Sequence, residues 1–111
     1  MEIDLEPALL AQFSHQADAA VALLKALASQ SRLLVLCHLA SEGELSVGQL
    51  QDRLDLGQSA LSQHLAKLRD EGLVATRKDA QMVFYSIADP KAEQMLTLLH
   101  RLFCPELGKG N

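Results

Sequence analysis

Apolar residues recur at three- and four-residue spacing through Leu10, Phe13, Ala17, Val21, Leu24 and Ala28. That period lines one face of an α-helix. Pro7 suits its first turn, where a missing N–H is no loss, and the alanine-rich remainder favours helix. About twenty residues at roughly 1.5 Å each make a rod near 30 Å long. So long a rod is expected to pack on a second subunit. "SQSR" interrupts it, and Ser31 is expected to cap a second helix over 32–41. This helix is apolar almost all round and therefore central. Gly43 ends it. Ser46 and Gln49 have the spacing of a capping box ahead of Val47, Leu50 and Leu54, a short third helix. After the turn "LDLG", a fourth helix runs from about Gln58 to Asp70 and stops at Gly72.

The period then shortens. "LVATRK" and "QMVFYSI" are rich in β-branched and aromatic residues, with Asp79-Ala80 between them. They predict a β-hairpin. Asp-Ala is weaker than Asp-Gly as a two-residue turn, which leaves room for a longer loop. Asp89-Pro90 opens a last helix with Met95, Leu96, Leu98, Leu99, Leu102 and Phe103 as a wide apolar stripe, and Pro105 stops it. The order α-α-α-α-β-β-α is mainly α with a β-hairpin wing, a winged helix-turn-helix. The 111 residues are expected to form one such domain. Residues 46–70 would be the helix-turn-helix and 73–87 the wing. The first and last helices would be left to build a homodimer.

Composition adds limits. Hydrophobic residues make up 49% and charged residues 22% of the chain, as in a globular protein. No apolar run reaches the roughly 18 residues that span a bilayer, so no membrane partner is expected. The start "MEIDLEPALL" is acidic, unlike a signal peptide. A cytoplasmic protein with reduced thiols is therefore expected. The net charge of −4 speaks weakly against nucleic acid, but its distribution does not. Residues 1–24 hold Glu2, Asp4, Glu6 and Asp18 with no Lys or Arg. Residues 53–78 hold five of the ten basic side chains: Arg53, Lys67, Arg69, Arg77 and Lys78.

On the fourth helix Leu61, Leu65 and Leu68 share one face, and Ser59, Ser62, Gln63 and Ala66 fall opposite. Small and hydrogen-bonding side chains there allow close approach to a major groove and supply donors and acceptors for base edges. An ordinary solvated face would more often carry Glu and Lys. Gln58 and Ser59 sit in the first turn, where free N–H groups and the helix dipole favour a phosphate. Arg77 and Lys78 precede the hairpin turn and Gln81 follows it, so a wing tip can reach phosphates or the minor groove. His64 lies beside the leucine face and reads as a packing residue. Double-stranded DNA is the expected partner.

The chain has two cysteines, Cys37 and Cys104, 67 positions apart, too few for a disulfide framework. They stand open to three readings: core packing, metal ligation or thiol chemistry. Cys37 lies among leucines, which suits packing. Cys104, next to a proline, lies off the apolar stripe and close to His100 and Thr97. An accessible terminal thiol near a second thiol suits a sensor. Cys104 with His100, and Cys37 with His38, also offer parts for zinc. An enzyme is not expected, because His15, His38, His64 and His100 are scattered and no nucleophile–base–orienter set appears. No cofactor is expected either.

"LLKALASQSRLLVLCHL", "ELSVGQL", "LGQSALSQHLAKLRDEGLV", "TRKDAQMVFYSI" and "LLHRLFC" together resemble the ArsR family of bacterial repressors, from about residue 20 to 104. The resemblance implies a dimer built on the first and last helices, and operator binding that an inducer abolishes. Metal-sensing members carry Cys-Val-Cys where this chain has Ser46 and Gly48 around Val47, and neither can supply a thiolate. Other members bind zinc on the last helix. Here Asp89 is kept, but Pro90 and Lys91 follow it, and Leu102 and Pro105 stand at the later ligand positions. "RLLVLCHL" and "LLHRLFC" resemble the family's thiol-switch subgroup. That implies sensing of reactive sulfur or oxidants, such as a persulfide, through a Cys37–Cys104 di- or polysulfide bridge that releases DNA. A zinc-responsive repressor, or a regulator with no small inducer, is the alternative.

Overall fold

The computed structural model describes residues 6–104. Glu2, Asp4 and Pro105 lie outside them. The elements run α1 (Pro7–Leu27), α2 (Gln30–Glu42), β1 (Leu45–Ser46), α3 (Val47–Arg53), α4 (Gln58–Asp70), β2 (Val74–Asp79), β3 (Met82–Ile87) and α5 (Pro90–Phe103). The expected five helices and hairpin are present. Strand β1 is an addition: two residues pair antiparallel with β3, giving a three-stranded sheet in the order β1-β3-β2.

Local chemistry explains most boundaries. Helix α2 begins two residues earlier than the sequence pattern suggests. Ser29, not Ser31, is the N-cap, and its hydroxyl accepts from the Arg32 N–H at 3.3 Å. Arg32 also closes α1, because its guanidinium donates to the Ala26 and Lys25 carbonyls at 2.8 and 3.1 Å. The Ala26 carbonyl lies in the last turn, where helical partners run out, the Lys25 carbonyl also accepts from the Ala28 N–H at 3.3 Å, and α2 leaves that junction turned by 93°. Gly43 ends α2 at φ 86°, which glycine adopts without steric cost. The capping box of α3 is complete: the Ser46 hydroxyl accepts from the Gln49 N–H, and the Gln49 side chain accepts from the Ser46 N–H. Asp89 caps α5 by accepting from the Lys91 N–H at 2.9 Å.

The wing turn keeps the two-residue length of the Asp-Ala reading, not a longer loop, but is shifted by one residue. Asp79 pairs with Met82, so the loop is Ala80-Gln81 alone, one residue later than Asp79-Ala80. Ala80 accepts φ 57° to close it.

The core is a leucine cluster. Val35, Leu36 and Leu39 of α2 meet Leu50 of α3 and Leu61, Leu65 and Leu68 of α4, with Leu45 and Val74 from the sheet, Leu73 just before β2, and Ala92 and Leu96 from α5. Helix α4 is thus fixed from beneath by three leucines at one-turn intervals. By contrast, the α1 stripe does not enter this core. Only Ala26 and Leu27 of α1 are buried, and Leu10, Phe13, Val21 and Leu24 are exposed. The α5 stripe divides: Leu96 is buried, whereas Leu98, Leu102 and Phe103 are exposed, Phe103 to 78%.

Candidate DNA interface and thiol pair

Leu61, Leu65 and Leu68 turn one face of α4 into the core. Its opposite face is therefore presented outward, and Gln58, Ser59, Ser62 and Gln63 are all exposed there. With Ala66 they line one open concavity. The expected recognition face is thus one continuous surface. Gly57 is the N-cap of α4 and has no side chain to satisfy the first-turn N–H groups. They remain available to an oxygen ligand.

The wing residues behave differently from one another. Lys78 is exposed on β2 and Gln81 is exposed in the turn. Arg77 is engaged: it donates through Nε and Nη2 to the Glu44 carboxylate at 2.9 and 2.8 Å. This two-point hydrogen bond draws the Glu44 carboxyl below its usual range and raises the Arg77 guanidinium further. Two more of the five basic residues are paired. Arg53 bonds Glu42, and Lys67 approaches Glu71 at 3.4 Å. Sequence reasoning misses Glu44 as a partner, because it lies 33 positions from Arg77 and no local spacing links them.

The cysteines lie on different elements that meet. Cys37 is half-buried on α2, beside the core. Cys104 is exposed and forms the C-cap of α5, its N–H donating to the His100 carbonyl at 2.7 Å. The His100 ring reaches α2, where Nε2 stands 3.3 Å from the Cys37 sulfur. One residue therefore touches both cysteines, through its backbone and through its side chain. Burial pushes the Cys37 thiol up, and the charge of a Cys104 thiolate pushes it further. At neutral pH Cys37 holds its proton, and the accessible thiol is Cys104. The pairing of His100 with Cys104 is readable from their four-residue spacing; that with Cys37 is not. Among the described residues, no group of three or more His, Cys, Asp or Glu side chains is placed to hold a metal ion. Nor, among them, is any single helix long and apolar enough to cross a membrane.

A helix-turn-helix with an outward polar helix and a flanking β-hairpin defines a winged-helix DNA-binding transcriptional regulator. Residues 29–76 match the family described as bacterial regulatory protein, arsR family. The transcriptional activator HlyU of Vibrio cholerae is 53% identical over 98 residues, covering 88% of this chain and 90% of that protein. This chain belongs to the ArsR family. Among solved structures, reduced HlyU from Vibrio cholerae has a TM-score of 0.78 at 54% identity, covering 84% of this chain and 97% of that one. The transcriptional repressor BigR from Xylella fastidiosa has a TM-score of 0.78 at 39% identity, covering 84% of this chain and 94% of that one. These relatives are transcriptional regulators, not enzymes.

Proposed function

We propose that the protein is a homodimeric, cytoplasmic repressor that binds operator DNA when reduced and releases it when Cys37 and Cys104 are bridged. The observation that carries this reading is the junction of α2 and α5 at His100, where both cysteines of the chain converge. Gln58 and Ser59 would hold a phosphate at the start of α4, and Ser62 and Gln63 would read bases. Lys78 and Gln81 would follow the backbone from the wing. Exposed Phe13, Val21 and Leu24 on α1 and Leu98, Leu102 and Phe103 on α5 offer the apolar area for the second subunit. Two recognition helices would then lie about 34 Å apart, one turn of DNA.

Reactive sulfur closes the bridge in two displacements. The Cys104 thiolate attacks the outer sulfur of a persulfide RSSH, forms a protein persulfide and expels a thiolate, which takes up a proton. Cys37, losing its proton, then attacks the inner sulfur and expels hydrosulfide. The sum is two protein thiols and RSSH giving a disulfide, RSH and hydrogen sulfide. Longer bridges incorporate further outer sulfur atoms from additional persulfides. Hydrogen peroxide reaches the disulfide with two molecules of water as product. A coupling of only about 1–3 kcal/mol between bridge and DNA would lower affinity roughly 5–150-fold.

The test uses a duplex selected by the reduced protein from a random-sequence library, in gel-shift titrations with and without persulfide. Wild type should release DNA on treatment. Cys37→Ser and Cys104→Ser should bind and ignore the inducer. If both single variants release DNA as readily as wild type, the paired-thiol reading fails. Intact mass separates the products: loss of two hydrogens marks a disulfide, and gain of two sulfur atoms with that loss a tetrasulfide.

A further inference from the structure

Arg77 has the charge expected of a wing contact, but its half-exposed guanidinium is already engaged by protein groups. Glu44 takes two of its N–H groups in a planar fork. The Asp79 carboxylate lies 3.9 Å from Nη1. The guanidinium carbon lies 4.9 Å from the centre of the Phe84 ring, the residue paired with Arg77 across the hairpin. One cation thus faces two carboxylates, a poor place for a phosphate.

The position of Glu44 gives this arrangement its meaning. Glu44 directly precedes β1, the two-residue strand that joins the wing to the helix-turn-helix. Ser46 of β1 pairs with Phe84, and Phe84 pairs with Arg77, so the three share one cross-strand row. Ser46 is also the N-cap of α3. A two-residue ladder is a short hinge. The Arg77–Glu44 fork spans it from outside, and bidentate geometry resists rotation where a single contact would not.

We propose that Glu44 is the positioning residue of the wing: it grips Arg77 as a strut that fixes the hairpin against the start of α3, and leaves phosphate contact to Lys78 and the turn. This concerns the DNA-binding activity itself and does not depend on the thiol switch.

Simple electrostatics and the strut make opposite forecasts. Glu44→Gln removes a negative charge beside the DNA. Charge alone then predicts tighter binding. The strut predicts about twofold to fivefold weaker binding per wing, the scale of an exposed ion pair of good geometry, with the salt dependence unchanged because no phosphate contact is lost. The exchanged pair, Glu44→Arg with Arg77→Glu, should recover most of the loss. Titrations of the full-length reduced protein on the library-selected duplex at several salt concentrations read all three. Hydrogen exchange supplies a second measurement: amides of β2 and β3 should exchange faster in Glu44→Gln while those of α4 stay protected. Equal or tighter binding by Glu44→Gln overturns the proposal. So does an exchanged pair that leaves the loss in place, a salt slope about one unit flatter in Arg77→Ala, or exchange that accelerates uniformly over the chain.

Discussion

Closing the Cys37–Cys104 bridge should raise the thermal midpoint of the protein, by an amount the chain geometry sets. The cysteines are 67 positions apart (37 to 104), and a crosslink over a loop of that length removes chain entropy from the unfolded state worth about 4 kcal/mol. Against this stand two native contacts that the bridge must disturb: the Cys104 N–H bond to His100 and the approach of the His100 ring to the Cys37 sulfur. Together they offset about 1 kcal/mol, because exposed hydrogen bonds are largely replaced by water. The remainder is about 3 kcal/mol. At roughly 4 °C per kcal/mol for a chain of this size, the midpoint should rise by about 12 °C. The assay is a thermal melt at fixed protein concentration after peroxide treatment, with intact mass to verify loss of two hydrogens. Dithiothreitol should reverse the shift, and Cys104→Ser should never show it. A bridged, single-subunit species that melts no higher than the reduced protein would refute the reasoning, since the two sites would then not be neighbours in the native fold.

Ser62→Ala or Gln63→Ala should cost about 1–3 kcal/mol on the selected duplex and little on random DNA, as measured by competition titration. Phe13→Asp combined with Phe103→Asp should leave a folded monomer in sedimentation velocity at micromolar concentration; an intact dimer would move the interface elsewhere. The raised pKa of Cys37 fixes the sign of a pH effect. The folded state favours the protonated thiol, so this stabilisation is present below the ordinary thiol pKa and is lost as pH rises through the higher folded value. Urea midpoints of the reduced protein should therefore fall more steeply in alkaline buffer than those of Cys37→Ser.

Short-range chemistry was the legible part of the chain. Ser46 with Gln49, Gly43, Gly72 and Asp89 act through hydrogen bonds or backbone angles within a few residues, so their spacing announces them. The outward face of α4 was legible for the same reason: Leu61, Leu65 and Leu68 fix which side of α4 is buried and hence that Ser62 and Gln63 face out. What escaped were choices between near-equal local options and contacts made across the fold. Ser29 and Ser31 are equally good caps on paper. Arg32 decides between them by turning back onto the end of α1. Strand β1 is only Leu45 and Ser46, too short to show a period, and exists because β3 lies beside it. The pairs Glu44–Arg77 and Cys37–His100 join residues 33 and 63 positions apart. Charge clustering alone therefore overstated the free basic surface, since Arg53, Lys67 and Arg77 direct their charge at carboxylates of their own chain.

The location of Cys104 at the closing residue of a helix also sets a clock. Helix ends fray and reform within about a microsecond, far faster than a dilute inducer can collide productively with a thiol. Cys104 is already exposed, and His100, which holds it by its backbone, touches Cys37 with its ring, so fraying of that turn should uncover the half-buried Cys37 beside it. Under the proposed thiol switch, the response time should then follow encounter with the inducer rather than the opening of the protein. Its first covalent step should speed up in proportion to inducer concentration, without a plateau.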